Sequence, residues 1–100
     1  MPKLYEYFGL IILFYSNEHD PIHVHCKYQD RASKAEIIFE NGKFKKVAIQ
    51  EVKGKKPLSS VELKKFEKVV EKFRDDIVHK WVDFFVYNKE VVCEKITKKI

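Results

Sequence analysis

The stretch Lys34-Ala35-Glu36-Ile37-Ile38-Phe39-Glu40-Asn41-Gly42-Lys43-Phe44-Lys45-Lys46-Val47-Ala48-Ile49 decides the fold. On its first limb Ala35, Ile37 and Phe39 recur at every second position, so an extended chain puts them on one face. Asn41-Gly42 then interrupts the run. A two-residue type I′ turn needs positive φ at both central residues, and Asn-Gly is the strongest short hairpin signal for that reason. The return limb, Lys43–Val52, alternates until Lys45-Lys46, where a bulge is expected. A hairpin with one apolar face must bury that face, so the rest of the chain has to supply more strands and a covering layer.

Working outward, Ile22–Tyr28 alternates in the same way. Ile22, Val24, Cys26 and Tyr28 form one set, and His23, His25 and Lys27 form the other. With a side-chain period of two, one set is core and the other faces solvent or a site. Gln29–Ser33 reads as the loop before Lys34. Further upstream, Leu4–Tyr15 is apolar on both alternating sets, which predicts one central strand covered on both faces. Gly9 inside it marks a bulge or a close backbone approach. Ser16–Pro21 supplies turn chemistry, and Pro21 keeps Asp20 extended.

Downstream, the basic loop Lys53–Lys56 ends at Pro57. Ser59 with Glu62 forms a capping-box pattern, and Leu58 with Leu63 forms the hydrophobic staple around it. Leu63, Phe66, Val69, Val70, Phe73, Ile77, Trp81 and Phe84 then recur at helical spacing. They predict one amphipathic helix of about six to eight turns, ending within the β-prone Val82–Tyr87. Asn88-Lys89 reads as a turn and Glu90–Ile96 as a last short strand. The expected fold is therefore α+β. An antiparallel sheet of four to five strands, in ββββαβ order, carries one long helix on one face. One helix cannot cover both faces of a central strand, so a homodimer or a partner protein is expected on the other.

The chain has 100 residues and is read as a single domain over 1–100. Residues 1–52 balance seven Lys/Arg against seven Asp/Glu, so the net charge of +5 lies wholly in residues 53–100. That excess permits an acidic partner such as nucleic acid, but the lysines alternate with glutamates as on a solvated helix face, and nucleic acid is not favoured. Cys26 and Cys93 are too few for a disulfide framework and read as reduced, mostly buried thiols of a cytoplasmic protein. The run Phe8–Tyr15 is too short to cross a membrane, follows Glu6 and leads to no small-residue cleavage site. Three glycines make no phosphate loop, and neither a nucleophile elbow nor a close cysteine pair is present.

His19-x3-His23-x-His25 carries the chemistry. His23 and His25 lie two apart on a strand and share a face, while His19 can fold back across the proline turn. Three imidazoles so placed could hold a divalent, zinc-like metal with open positions, with Glu18 and Asp20 as acceptors for their ring N–H groups. Without a metal, the same histidines are candidate catalytic acid and base for phosphodiester cleavage. Lys27, Lys45 and Lys46 would then contact the phosphate. Against both stands the plainer reading of histidines that only hydrogen-bond or face solvent. Trp81 with Phe84 and Phe85 could stack bases, but Trp81 lies on the helix's apolar stripe and reads as core. His79, near the helix end, is given no role.

Phe8-Gly9, Phe14-Tyr15-Ser16-Asn17-Glu18-His19, Pro21, His23-Val24-His25 and Tyr28 together resemble the N-terminal signature of the small bacterial family catalogued as domain of unknown function 4160. The helix with Trp81 near its end is similar to that family's second half, so the resemblance spans about residues 1–85. Asp20 and Ile22 stand where more prolines are usual, and Cys26 where an apolar residue is. The resemblance implies no established activity. It implies that His19, His23 and His25 are signature positions, and that such proteins are encoded beside another small protein in toxin–antitoxin-like pairs. Three functions follow for testing: a protein-binding or regulatory half of a two-gene system, a small histidine-dependent nuclease or phosphodiesterase, and a metal-binding protein without catalysis.

Overall fold

Asn41-Gly42 makes the turn its residues call for, with φ of 54° and 78°. In the computed structural model, which describes residues 2–14 and 22–100, this turn joins β4 (Arg31–Glu40) to β5 (Lys43–Glu51). The pairing shifts register between Ile38 and Phe39, so that Ile38 faces Lys46 and Phe39 faces Phe44. Lys45 is the extra residue, as the faltering alternation predicts. The bulge switches the parity of the strand and turns Phe44 toward the core beside Val47 and Ile49.

The expected single strand from Leu4 to Tyr15 is instead a second hairpin. β1 (Lys3–Tyr7) and β2 (Leu10–Leu13) pair antiparallel, with Tyr7 opposite Leu10. Phe8 and Gly9 form the two-residue turn, with φ of 45° and 87°. The close approach foreseen at Gly9 is present: a Cβ there would stand 3.0 Å from the Tyr28 ring. The bulge foreseen at Gly9 lies elsewhere, between Lys3 and Tyr5, and both Leu4 and Tyr5 are buried around it. β3 (His23–Tyr28) pairs with β2 and with β4, and its link to β4 is a two-residue turn at Gln29-Asp30. The loop expected over Gln29–Ser33 therefore shortens, and Arg31, Ala32 and Ser33 join β4.

The long helix is likewise two. α1 (Ser60–Lys72) and α2 (Arg74–Phe85) meet at Phe73, whose φ and ψ are −104° and 18°. Hydrogen bonds continue through the bend, since Phe73 N–H donates to Val69 O and Ile77 N–H to Phe73 O. Neither proline nor glycine stands there. Phe73 instead stacks on Tyr5, with ring centroids 5.1 Å apart, and the bend seats both helices on one sheet face. Ser59 is the N-cap, but its hydroxyl donates to the Glu62 carboxylate and makes no side-chain bond to the backbone. The Leu58 N–H is taken up by Ser33 Oγ at 3.1 Å, which ties the helix start to β4.

The last strand, β6 (Glu94–Ile96), is shorter than expected and pairs parallel to β1. The sheet is therefore mixed and six-stranded, in the order β5-β4-β3-β2-β1-β6. Its helix-covered face supplies the core: Tyr5, Leu10, Ile12, Phe14, Val24, Cys26, Ala35 and Ile37 meet Phe66, Val69, Val70 and Ile77. Each fully buried Leu, Ile, Val or Phe among them contributes roughly 1.5–3 kcal/mol by leaving water. No helix among the described residues is long and apolar enough to cross a membrane.

Candidate functional site

The register of β3 fixes where its histidines go. His23 lies opposite Glu36, and His25 lies between Leu13 on β2 and Lys34 on β4. Both imidazoles sit on the sheet face away from the helices, with ring centroids 5.6 Å apart. The expected same-face pair is therefore present. Its expected display to solvent is not: His23 is only 9% exposed and His25 3%. Leu13, which stands beside His25 on this face, is buried as well.

His19, the third candidate, lies outside the described residues, as do Glu18 and Asp20. Among the described residues no three His, Cys, Asp or Glu side chains gather into a metal-binding group. Of the three candidate lysines, Lys27 shares the histidines' face, opposite Ile11 and Ala32. Lys46 lies two strands away opposite Ile38, and Lys45 is at the bulge, ion-paired to Glu40 at 2.9 Å. The structure thus does not bring Lys45 and Lys46 to the histidines. It brings Lys34 and Glu36 instead, which sequence reading missed. Once Gln29-Asp30 is recognised as a two-residue turn, that register follows. Glu36 accepts from Gln50 Nε2 at 3.1 Å, so a charged and polar row continues across β4 and β5.

Cys26, between the two faces' chemistry, points into the core. Burial first, and then the Glu62 charge, pushes its thiol up to about 12, so it stays protonated and is no nucleophile at neutral pH. Cys93 is exposed, contrary to expectation, and both thiols are free.

A different cluster lies where α2 meets the sheet edge. The Tyr5 hydroxyl donates to Asp76, and Lys80 pairs with Asp76 at 3.0 Å and with Glu94 at 3.5 Å. The Lys80 ammonium also stands 4.3 Å from the centre of the Tyr5 ring. Burial raises the Tyr5 hydroxyl far above its usual pKa, and Asp76 and Glu94 add to the rise. Burial acts upward on Asp76 too, but the bonds from Tyr5 and Lys80 outweigh it and hold the carboxyl below its usual value. This network fastens β1, α2 and β6 together. Trp81 and Phe85, 5.0 Å apart, extend the packing toward Phe14 and form no open stacking platform.

The β1–β2 turn presents the opposite chemistry to the histidines. Phe8 is 49% exposed, and its ring packs edge-on against Tyr7 at 4.8 Å. One cleft beside it, of about 410 Å³, has Ile11 and Ile96 as apolar walls, with Glu6 and Lys95 at its rim. A second, of about 290 Å³, is bounded by Tyr7, Lys65, Lys68 and Lys99. Sequence reading placed Phe8 inside a buried strand and gave it no role. The signal available was Gly9 following it, a pair able to turn.

Comparison with curated proteins and with solved structures gives no significant match. The model of the family described as "Domain of unknown function (DUF4160)" matches residues 9–82, and the chain belongs to that family.

Proposed function

We propose that this chain, as a member of that family, is the protein-binding half of a small two-protein system of toxin–antitoxin type. One observation carries the reading. The apolar cleft of about 410 Å³ beside half-exposed Phe8 is lined by residues that include no His, Cys or Ser, while His23 and His25 are buried. A surface of that kind suits recognition, where an apolar centre with a charged rim supplies the contact. Its polar side chains are Glu6, Lys95 and Thr97, set around an apolar centre.

Native mass spectrometry of the chain co-expressed with its neighbouring genes tests the proposal. A stable heteromeric complex is the expected result, and the same spectrum reports any homodimer or bound divalent metal. A chain found only alone, together with RNA or DNA cleavage that His23→Ala or His25→Ala abolishes in a folded protein, would replace this reading with the hydrolase one.

A further inference from the structure

Phe8 occupies the first central position of its turn at φ 45°. An L-residue in this left-handed region costs about 1–2 kcal/mol, and asparagine or glycine relieves much of it. Of the other two-residue hairpin turns, Asn41-Gly42 places asparagine at this position and Gln29-Asp30 places glutamine, at φ 54° and 56°. Phe8 therefore gains nothing from its backbone, and its ring, packed edge-on against Tyr7, is still half exposed. Strain kept at a surface aromatic points to use of the ring.

The surroundings say what the ring would meet. Phe8 separates the two clefts and lines both. The first offers Ile11 and Ile96 to an apolar side chain. The second sets Lys65, Lys68 and Lys99 around Tyr7, Phe8 and Ile100, with no Asp or Glu side chain on its wall. We infer that Phe8 anchors a docking site for an extended segment of a partner protein. That segment places an apolar side chain between Ile11 and Ile96 and acidic side chains against Lys65, Lys68 and Lys99. This rests on the partner-binding reading and names the place and the chemistry of the contact.

A polypeptide fits better than a nucleic acid. A phosphate backbone leaving the basic cleft would meet Glu6 at the rim of the first. On α1, Lys64, Lys68 and Lys72 recur every fourth residue with Glu67 and Glu71 on the neighbouring stripe, so a single strand following the lysines would run beside carboxylates. A peptide carries apolar and acidic side chains in alternation and has no such conflict.

Fluorescence anisotropy with a short labelled peptide of leucines and glutamates tests the site on the full chain, whether or not a natural partner has been found. A scrambled lysine–leucine peptide and a single-stranded oligonucleotide are the comparison probes. The acidic peptide should bind, weaken with added salt, and lose about tenfold in affinity with Phe8→Asn or with Lys65→Glu plus Lys68→Glu. Phe8→Asn suits the turn, so loss of binding there is not loss of fold. No binding of the acidic peptide, binding indifferent to both variants, or tighter Phe8-dependent binding of the oligonucleotide would each overturn the inference. A natural complex that forms equally well with Phe8→Asn would also overturn it while leaving the partner-binding reading intact.

Discussion

Phe8-Gly9 and Asn41-Gly42 are two turns with nearly the same backbone, φ 45° and 87° in one and 54° and 78° in the other. They differ in everything around that backbone. At Asn41-Gly42 the residues suit the conformation, a Cβ on Gly42 would meet nothing within 4 Å, and an exposed ion pair between Lys45 and Glu40 lies nearby. At Phe8-Gly9 the first residue opposes the conformation, and the second has the Tyr28 ring against it. Two clefts flank that turn. One turn is only a connection. The other is strained, crowded behind and open in front, which is the combination the proposed docking site would use.

Substitutions can sharpen that contrast. The largest expected effect is at Gly9. Gly9→Ala combines the left-handed penalty with displacement of Tyr28 and should lower unfolding free energy by about 2–4 kcal/mol. Gly42→Ala, with open space around it, should lower it by only about 1–2 kcal/mol. Urea midpoints for the two variants read the difference, and equal losses would mean that the crowding at Gly9 is unimportant. Next comes Phe8→Asn, which should raise stability by about 0.5–1 kcal/mol, whereas Asn41→Phe should lower it by a similar amount. A destabilised Phe8→Asn would show that the ring supports the fold after all.

The smallest effect is with pH. The network of Tyr5, Asp76, Lys80 and Glu94 braces the Phe8 end, and nothing similar is found among the described residues of the Asn41 turn. Asp76 is held below its usual carboxyl value, so its contribution is present above about pH 4 and fades as pH falls through the lowered folded value. Tyr5 and Phe73 ring resonances should therefore shift with a midpoint below that of an ordinary aspartate, while Phe44 resonances near the other turn stay still. Asp76→Asn should remove the step. Its persistence in that variant would assign the titration elsewhere.

The same two turns explain how much of the fold could be read in advance. Asn41-Gly42 was legible because the need for positive φ is local and its residues announce it. Phe8-Gly9 was not, since phenylalanine gives no such notice and an apolar run masked the reversal. The parity of His23 and His25 was legible from a period of two. Their depth was not, because burial depends on what covers a sheet face and alternation says only which side chains share it. The helix start at Leu58–Glu62 was visible in its residues, whereas the bend at Phe73 came from a tertiary partner, Tyr5. The parallel return of β6 beside β1 joins residues from opposite ends of the sequence, and no local pattern encodes it. Around the candidate site, the shared face of the two histidines was visible in the sequence, and the exposed aromatic at Phe8 was passed over.

That parallel return has a consequence for timing. Lys95 and Ile96 form part of the wall of the Phe8 cleft, and they arrive on the strand synthesised after every other element of the sheet. Closing so long a loop is entropically uphill, and a strand of three residues offsets little of that by itself. A growing chain therefore displays the Phe8 turn before the recess beside it exists. Recognition at that recess would distinguish finished molecules from unfinished ones, acting as a check on completion before any partner engages.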